Sequence, residues 1–190
     1  MNWTKKLMEQ IAELHLPESI RVRLIPTEQL VFNPLFRKFC EENTCHSYGA
    51  NYSCPPYAGT AEELITQVKT YPYVIVYQIF HTYPDEQAPV YKNEKIITEA
   101  RMEHQKAGDQ IQKVLEEHHA VFHAIGSGKC ILCPECALLQ NQPCRKPDQL
   151  RKSMSAYCID VNQLAQTCGL EFGDSIHTLT YFGLFCIGEN

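Results

Sequence analysis

The apolar positions of this chain follow a helical period in four segments. In each of them, apolar residues recur every three or four positions, as they do on the buried face of an amphipathic helix. Thr60 and Glu63 form a capping-box signature at the start of the second segment, and Ser153 is placed to cap the fourth. In the third, the small pair Ala107-Gly108 would let another element approach closely. The four predicted helices cover residues 4–16, 60–69, 94–118 and 153–168.

Four other segments have the patterns of β-strands. Residues 20–25 alternate apolar side chains with two arginines, which is typical of a half-buried strand. Residues 73–80 form a continuous apolar and aromatic run, which indicates a strand buried on both faces. Residues 120–125 and 177–187 are also strand-like, and Gly183 predicts a kink in the last of them.

The order of these elements predicts the fold class. Helices and strands alternate, which favours an α/β layered domain with a mostly parallel or mixed sheet of about four strands and two cysteine-rich loops. An α+β arrangement is the alternative. Residues 26–59 have no regular pattern and are predicted to form a long loop. The chain has 190 residues, 44% of them hydrophobic, and no linker or repeat divides it, so we expect a single domain over residues 1–190.

Charge and composition narrow the range of partners. The net charge is −5, and the lysines and arginines are scattered along the chain, so we expect no nucleic-acid partner. The amino-terminal segment has charged residues where a secretory signal would have an apolar run, and no run of eighteen apolar residues occurs. We therefore expect a cytoplasmic protein with no membrane partner. In that reducing compartment the ten cysteines would remain thiols or metal ligands.

The strongest chemical signal is the CxxCxxC motif of Cys130, Cys133 and Cys136. Its spacing matches the first three ligands of ferredoxin-like [4Fe-4S] sites. The fourth ligand would be expected near position 140, which is glutamine, so Cys144 is the nearest replacement and a ligand from elsewhere stays possible. A zinc site with four cysteine ligands is the alternative. The motif has one cysteine more than a zinc-finger pair needs, which favours iron-sulfur.

A second, looser group consists of Cys40, Cys45 and Cys54, followed by Pro55-Pro56. A proline directly after a ligand cysteine stiffens the loop and removes an amide. Three sulfurs without an evident fourth would leave an iron open to water or substrate, as open positions do in catalytic metal sites. Closure of the site by His46 or by a distant cysteine is an equally good interpretation.

The predicted sheet offers a way to bring the two groups together. If strands 20–25 and 120–125 run parallel, both cysteine loops leave their carboxyl ends, where open α/β sheets place their sites. Beside Cys144, Arg145 and Lys146 could neutralise a thiolate-ligated cluster or hold an anionic substrate, although an ordinary surface turn explains them equally well. The residues predicted to pack in the core are Cys158, Cys168, Cys186 and, as a hydrogen-bonded core histidine, His104.

Together these motifs resemble a known family, the "predicted metal-binding protein" domain of unknown function found largely in anaerobic bacteria and archaea. The resemblance spans most of the chain. It implies metal or iron-sulfur binding through the seven cysteines, and it implies no particular reaction. The residues that carry it are Cys40, Cys45, Tyr48-Gly49, Cys54-Pro55-Pro56, Gly128, Cys130, Cys133, Cys136, Cys144-Arg145, Pro147, Ser153-Met154, Ala156 and Ile159-Asp160-Val161.

Three functional hypotheses follow from the sequence. The first is a protein with one or two [4Fe-4S] clusters that serves in electron transfer or as a redox accessory in anaerobic metabolism, with an unidentified redox partner protein or small molecule. The second is a cluster-dependent enzyme with an open iron that acts on a small anionic substrate. The third is a zinc-stabilised interaction module. The sequence leaves open whether the protein is an enzyme.

Overall fold

A computed structural model describes residues 3–173 and 176–189 of the chain, and its centre is a mixed β-sheet. The sheet order is β1-β2-β5-β3-β4, with antiparallel pairs throughout except for the parallel pair β3–β4. The mixed sheet was predicted, but the described residues form five strands rather than about four. The extra strand is the two-residue β4. The strands are β1 Ile20–Pro26, β2 Tyr73–Thr82, β3 Val121–Gly126, β4 Lys152–Ser153 and β5 Thr178–Gly188.

Helices cover both faces of this sheet, which confirms the predicted α/β layering. The α-helices of the described residues are α1 Trp3–Glu13, α2 Leu35–Glu41, α3 Ala61–Lys69, α4 Glu94–Glu117 and α5 Val161–Cys168. Alternate residues of β2 point to opposite faces. Val74 and Val76 pack in a cluster with side chains of α3 and α5, whereas Ile75 and Tyr77 pack with side chains of α1 and α4. Strand β2 is thus buried on both faces, as its continuous apolar run predicted.

Two of the predicted helices are confirmed, the first of them together with its predicted cap, and two differ. The Thr60 side chain accepts a hydrogen bond from the Glu63 amide in a complete capping box, and α4 begins after Asn93. Helix α1 ends at Glu13, three residues before the predicted end. The prediction that Ser153 caps a helix is wrong: Ser153 lies in β4, and Asp160 caps the shorter α5.

Helix α2 lies in a region predicted to be a loop. Residues Met154–Tyr157 form a 3-10 turn against it, followed by Cys158 in the left-handed region with φ 59°. Because that conformation interrupts a right-handed helix, the apolar positions after Ser153 do not continue one helix into α5. Cys40 is on α2 rather than in a loop, and Ser155 of the 3-10 turn forms a hydrogen bond with its thiol.

The side chain of Tyr77, from β2, packs between α4 and the sheet. A Cβ atom added at Gly108 would overlap the Tyr77 hydroxyl and the Arg151 guanidinium, and one added at Gly183 would overlap the Tyr77 ring. Glycine is therefore required at both positions for this packing. The close approach predicted at Ala107-Gly108 is confirmed, and at Gly183, where the sequence predicted a kink, β5 runs without interruption past the ring.

The two cysteine loops were predicted to meet at the carboxyl ends of β1 and β3 if these strands run parallel. The two strands run in opposite directions, so that condition is not met. The reason is that β2 and β5 lie between them and each neighbouring pair is antiparallel. The chain after β1 instead crosses to the other end of the sheet, where Phe32 pairs with Ile159 and α2 packs on the 154–157 turn. No helix among the described residues has the length and apolar character needed to cross a bilayer.

Candidate metal centre

The first cysteine group, Cys40, Cys45 and Cys54, is held by a helix end followed by tight turns. Cys40 lies in the last turn of α2, and its carbonyl oxygen accepts a hydrogen bond from the Asn43 amide at 3.1 Å. Asn43 has φ 55°, and its side-chain oxygen accepts from the Tyr48 amide at 3.0 Å. Asparagine tolerates the left-handed region better than most residues, which suits it to this turn.

Cys54 is the most deeply placed member of this group, with 6% of its surface exposed. Its amide donates to the Asn51 carbonyl at 3.0 Å, and its own carbonyl accepts from the Ala58 amide at 2.9 Å. The carbonyl of Pro55 accepts from the Gly49 amide at 2.9 Å, which closes the loop upon itself. Backbone hydrogen bonds therefore fix the main chain on both sides of Cys54.

The three thiols lie close enough to influence one another electrostatically. Burial raises the pKa of Cys40, and Cys54 and Cys45 raise it further, while the Ser155 hydroxyl and Arg37 oppose this rise. Burial likewise raises the pKa of Cys54, a hydrogen bond with Ser53 lowers it, and Cys45 raises it. A thiol with a raised pKa is held in its neutral form until a cation or metal compensates the thiolate.

The second cysteine group, Cys130, Cys133, Cys136 and Cys144, surrounds a cavity of about 30 Å³. Burial raises the pKa of Cys130, a hydrogen bond from the Leu132 amide to its sulfur lowers it, and the other three thiols of the group raise it. Each of the four side chains is partly exposed. This loop therefore gathers four soft donors around one small space near the surface.

Arg145 and Lys146 are both exposed and line this cavity. The Arg145 guanidinium donates to the Glu135 carbonyl at 3.0 Å and to the Gln140 side-chain oxygen at 3.0 Å. Gln140 in turn donates to the Glu135 carboxylate at 2.9 Å. Arg145 thus holds the loop between the third and fourth cysteines in shape.

Ser53 joins the two cysteine groups. Its buried hydroxyl accepts a hydrogen bond from the Cys130 amide at 2.8 Å, and its carbonyl accepts from the Ser153 amide at 2.9 Å. Asn51 reinforces the link, since its side-chain oxygen accepts from the Ser53 amide at 3.1 Å and its side-chain nitrogen lies 3.4 Å from the Cys130 carbonyl. The groups therefore do converge, through side chains that sequence reasoning missed because nothing local marks a contact across 77 residues.

The remaining candidate residues are divided between the site and the core. His46 is exposed and lines a cavity of about 350 Å³ together with Cys130, Cys133 and Cys136 of the second group. Cys158, Cys168 and Cys186 are buried, as predicted, and burial raises the pKa of Cys186 to about 12. His104 is buried, as predicted, but the prediction that hydrogen bonds satisfy it is wrong, because its Nε2 has no partner among the described residues. Within residues 3–173 and 176–189, no three histidine, cysteine or acidic side chains are arranged to hold a single metal ion.

The fold and the two thiol groups define a cysteine-rich α/β protein. A family model described as "Predicted metal-binding protein (DUF2284)" matches residues 23–187, and the chain belongs to that family. The match covers both cysteine groups and confirms the resemblance seen in the sequence. No curated protein and no solved structure matches the chain.

Proposed function

We propose that this protein binds one or two [4Fe-4S] clusters through its two cysteine groups and serves in electron transfer or as a redox accessory. The observation that carries the proposal is the gathering of Cys130, Cys133, Cys136 and Cys144 around one cavity in a member of a predicted metal-binding family. Thiolates are the usual ligands of iron-sulfur clusters, and four of them complete a [4Fe-4S] site.

The donor set of the second group supports a cluster over a zinc ion. A four-iron cluster takes thiolate ligands, and Cys130, Cys133, Cys136 and Cys144 supply four of them around one cavity. The CxxCxxC run has one cysteine more than a zinc-finger pair needs. A zinc ion in a structural interaction module is the alternative.

A second candidate function is a cluster-dependent enzyme acting on a small anionic substrate. It is favoured by the first cysteine group, in which Cys40, Cys45 and Cys54 form a set of three thiols. The hydroxyls beside Cys40 and Cys54 belong to Ser155 and Ser53, and a neutral hydroxyl is a weak ligand for iron. A cluster held by three thiolates would keep one iron open to act as a Lewis acid.

The proposal is tested on protein purified without oxygen, by iron, sulfide and zinc analysis together with visible absorption and EPR spectra. We expect iron and acid-labile sulfide in similar amounts and broad visible absorption from thiolate-to-iron charge transfer. Cys133→Ser should remove the cluster of the second group, and Cys54→Ser that of the first. Cys168→Ala, which changes a core cysteine, is the control and should retain both.

Several outcomes separate the candidates. A colourless protein with stoichiometric zinc after anaerobic reconstitution would contradict both iron-sulfur functions and favour the zinc module. If cyanide alters an EPR signal that disappears in Cys54→Ser, the first group carries an open iron and the enzyme is favoured. If cyanide alters no signal while both clusters are present, the electron-transfer function is favoured.

A further inference from the structure

A polar cavity next to the second cysteine group lies on the α4 face of the sheet. It is lined by residues of α4, by the Gly126-Ser127-Gly128 turn that follows β3, and by Tyr77 and Tyr181 from the central strands. Its volume is about 30 Å³, whereas a single water molecule needs roughly 10 to 15 Å³ on the same measure. The cavity therefore has room for two waters or for a group the size of a carboxylate.

The charges around this cavity are of one sign. Arg101, Lys129 and Arg151 line it, and none of the described residues that line it is acidic. Arg151 is 8% exposed and pairs with Asp109, whose carboxylate lies 2.8 Å from its Nη2 outside the cavity lining. The Nη1 of Arg151 is turned the other way, 3.5 Å from the Tyr77 hydroxyl. A small polar space with guanidinium donors and no carboxylate in its described lining favours an anion.

His104 provides an independent sign that something polar belongs in this cavity. It is 6% exposed, its ring stacks on Tyr77 with 4.6 Å between centroids, and its Nε2 has no hydrogen-bond partner among the described residues. Buried polar atoms without partners are rare in native proteins, and each calls for a bound water, ion or ligand. Burial, Arg151 and Arg101 lower the pKa of His104 to about 3, so the ring is neutral at pH 7 and can donate from Nε2.

Arg101 holds one side of the cavity. It lies on α4, and its Nη2 donates a hydrogen bond to the Lys129 carbonyl, which ties the helix to the turn before Cys130. In the described part of the chain Arg101 has no acidic partner within ion-pair distance. Arginine is suited to this position because its planar group presents several donors in a fixed fork.

We propose that this cavity binds the carboxylate or a similar oxyanion group of a small ligand, held by the guanidinium groups of Arg101 and Arg151 and by the ring of His104. The site lies beside Cys130, which lines the same cavity, so the ligand would sit next to the second cysteine group. None of these three donors is a thiol. The inference therefore goes beyond the proposed function and holds whichever metal the thiols bind.

The test is isothermal titration of metal-loaded wild-type protein with acetate, formate and phosphate in a buffer without carboxylate. We expect saturable binding of at least one of these anions. Arg101→Gln should weaken it about tenfold or more, because a charge-assisted hydrogen bond from a partly buried guanidinium is lost. Lys106→Gln is the matched control: it removes one positive charge from an exposed position on α4 that does not line the cavity, and it should bind as the wild type does.

NMR on the wild-type protein gives a second readout that does not depend on the folding of a variant. The Nε2 resonance of His104 is assigned as the one that is absent from the spectrum of His104→Gln. In the wild type this resonance should shift on anion binding, with the same midpoint as the calorimetric titration. The proposal is overturned if no anion binds, if the two charge variants bind equally, or if the His104 signal is unchanged at saturation. In the last case the cavity holds only structural water. Metal content, measured on the same samples, reports separately on the proposed function.

Discussion

The two cysteine groups differ in how firmly the protein holds them. Two of the three thiols in the first group are anchored in the layered fold, while Cys45 is exposed. Cys40 is on a helix, Cys54 is buried, and Arg37 donates from α2 to the carbonyls of Ala156 and Gly59 at 2.8 and 2.6 Å. The second lies in a partly exposed loop whose internal contacts are made largely by exposed side chains such as Arg145. Protein packing thus organises the first group, whereas the second depends more on whatever its thiols bind.

Acidification should lower the free energy of unfolding more than any of the substitutions below. It acts on histidines in the helix and sheet layers that carry both cysteine groups. Burial and nearby cations lower the pKa of His104 from 6.5 to about 3, and burial with Lys152 lowers that of His123 from 6.5 to about 4. The unfolded chain binds more protons than the folded protein between these values. Stability is therefore complete above about pH 6.5 and decreases as the pH falls, by up to ~1.4 kcal/mol per pH unit for each ring.

Urea unfolding of metal-loaded protein at pH 6.5 and 4.5 checks this. We expect the free energy of unfolding to decrease by at least about 3 kcal/mol, from the two rings together. In His123→Gln roughly half of that decrease should disappear. The exposed His15→Gln is the control and should follow the wild type. Equal pH dependence in all three proteins would show that the cysteine segments, rather than the layers, respond to acid.

Ser53→Ala should have the next largest effect, because it cuts the link between the two groups. The Cys130 amide would lose the buried hydroxyl that accepts its hydrogen bond, and we expect a loss of about 2 kcal/mol of unfolding free energy. Amide hydrogen exchange of Cys130 should become faster than that of Cys54. The partly exposed Ser127→Ala, in the turn before Cys130, is the matched control. Equal exchange rates in the two variants would mean that the groups are held independently.

Arg37→Gln tests the anchoring of the first group directly. Loss of the two hydrogen bonds to the Ala156 and Gly59 carbonyls should lower the free energy of unfolding by about 1.5 kcal/mol. The adjacent exposed Lys38→Gln makes the same charge change and should cost far less. Urea unfolding measures both. If the two variants are equally stable, α2 is not an anchor for Cys40.

Arg145→Gln should have the smallest effect, about 0.5 kcal/mol, because its hydrogen bonds in the second group are exposed to solvent. The neighbouring Lys146→Gln serves as the control in the same unfolding experiment. Should Arg145→Gln prove as costly as Arg37→Gln, the contrast between an anchored and a loosely held group would be lost.

The sequence predicted the parts of the fold that depend on local signals. The capping box at Thr60 and the doubly buried run of β2 are encoded within a few residues, and both are confirmed. Helix α2 was missed because Leu35 and Phe39 are about half exposed, so its apolar residues do not form a regular buried face. Strand directions were missed because pairing is decided between segments far apart in the chain.

The candidate site divides in the same way. The membership of each cysteine group was evident from spacing, and the family match supports a metal-binding protein, while the ligand assignment of the seven cysteines stays a prediction. Sequence could not predict the contacts of Ser53, nor that the His104 Nε2 has no partner within the described part of the chain. Each depends on how far-apart segments meet, and neither residue carries a local motif that marks its role.

The hydrogen bonds of Ser53 also bear on when the site can form during biosynthesis. A chain emerging from the ribosome presents Cys40, Cys45 and Cys54 long before Cys130 and Ser153 exist to meet them. Contacts so distant in sequence form late, after the intervening sheet strands have been made. The first three thiols are consequently without their partner segment for much of translation, and the joined site belongs to the nearly finished protein.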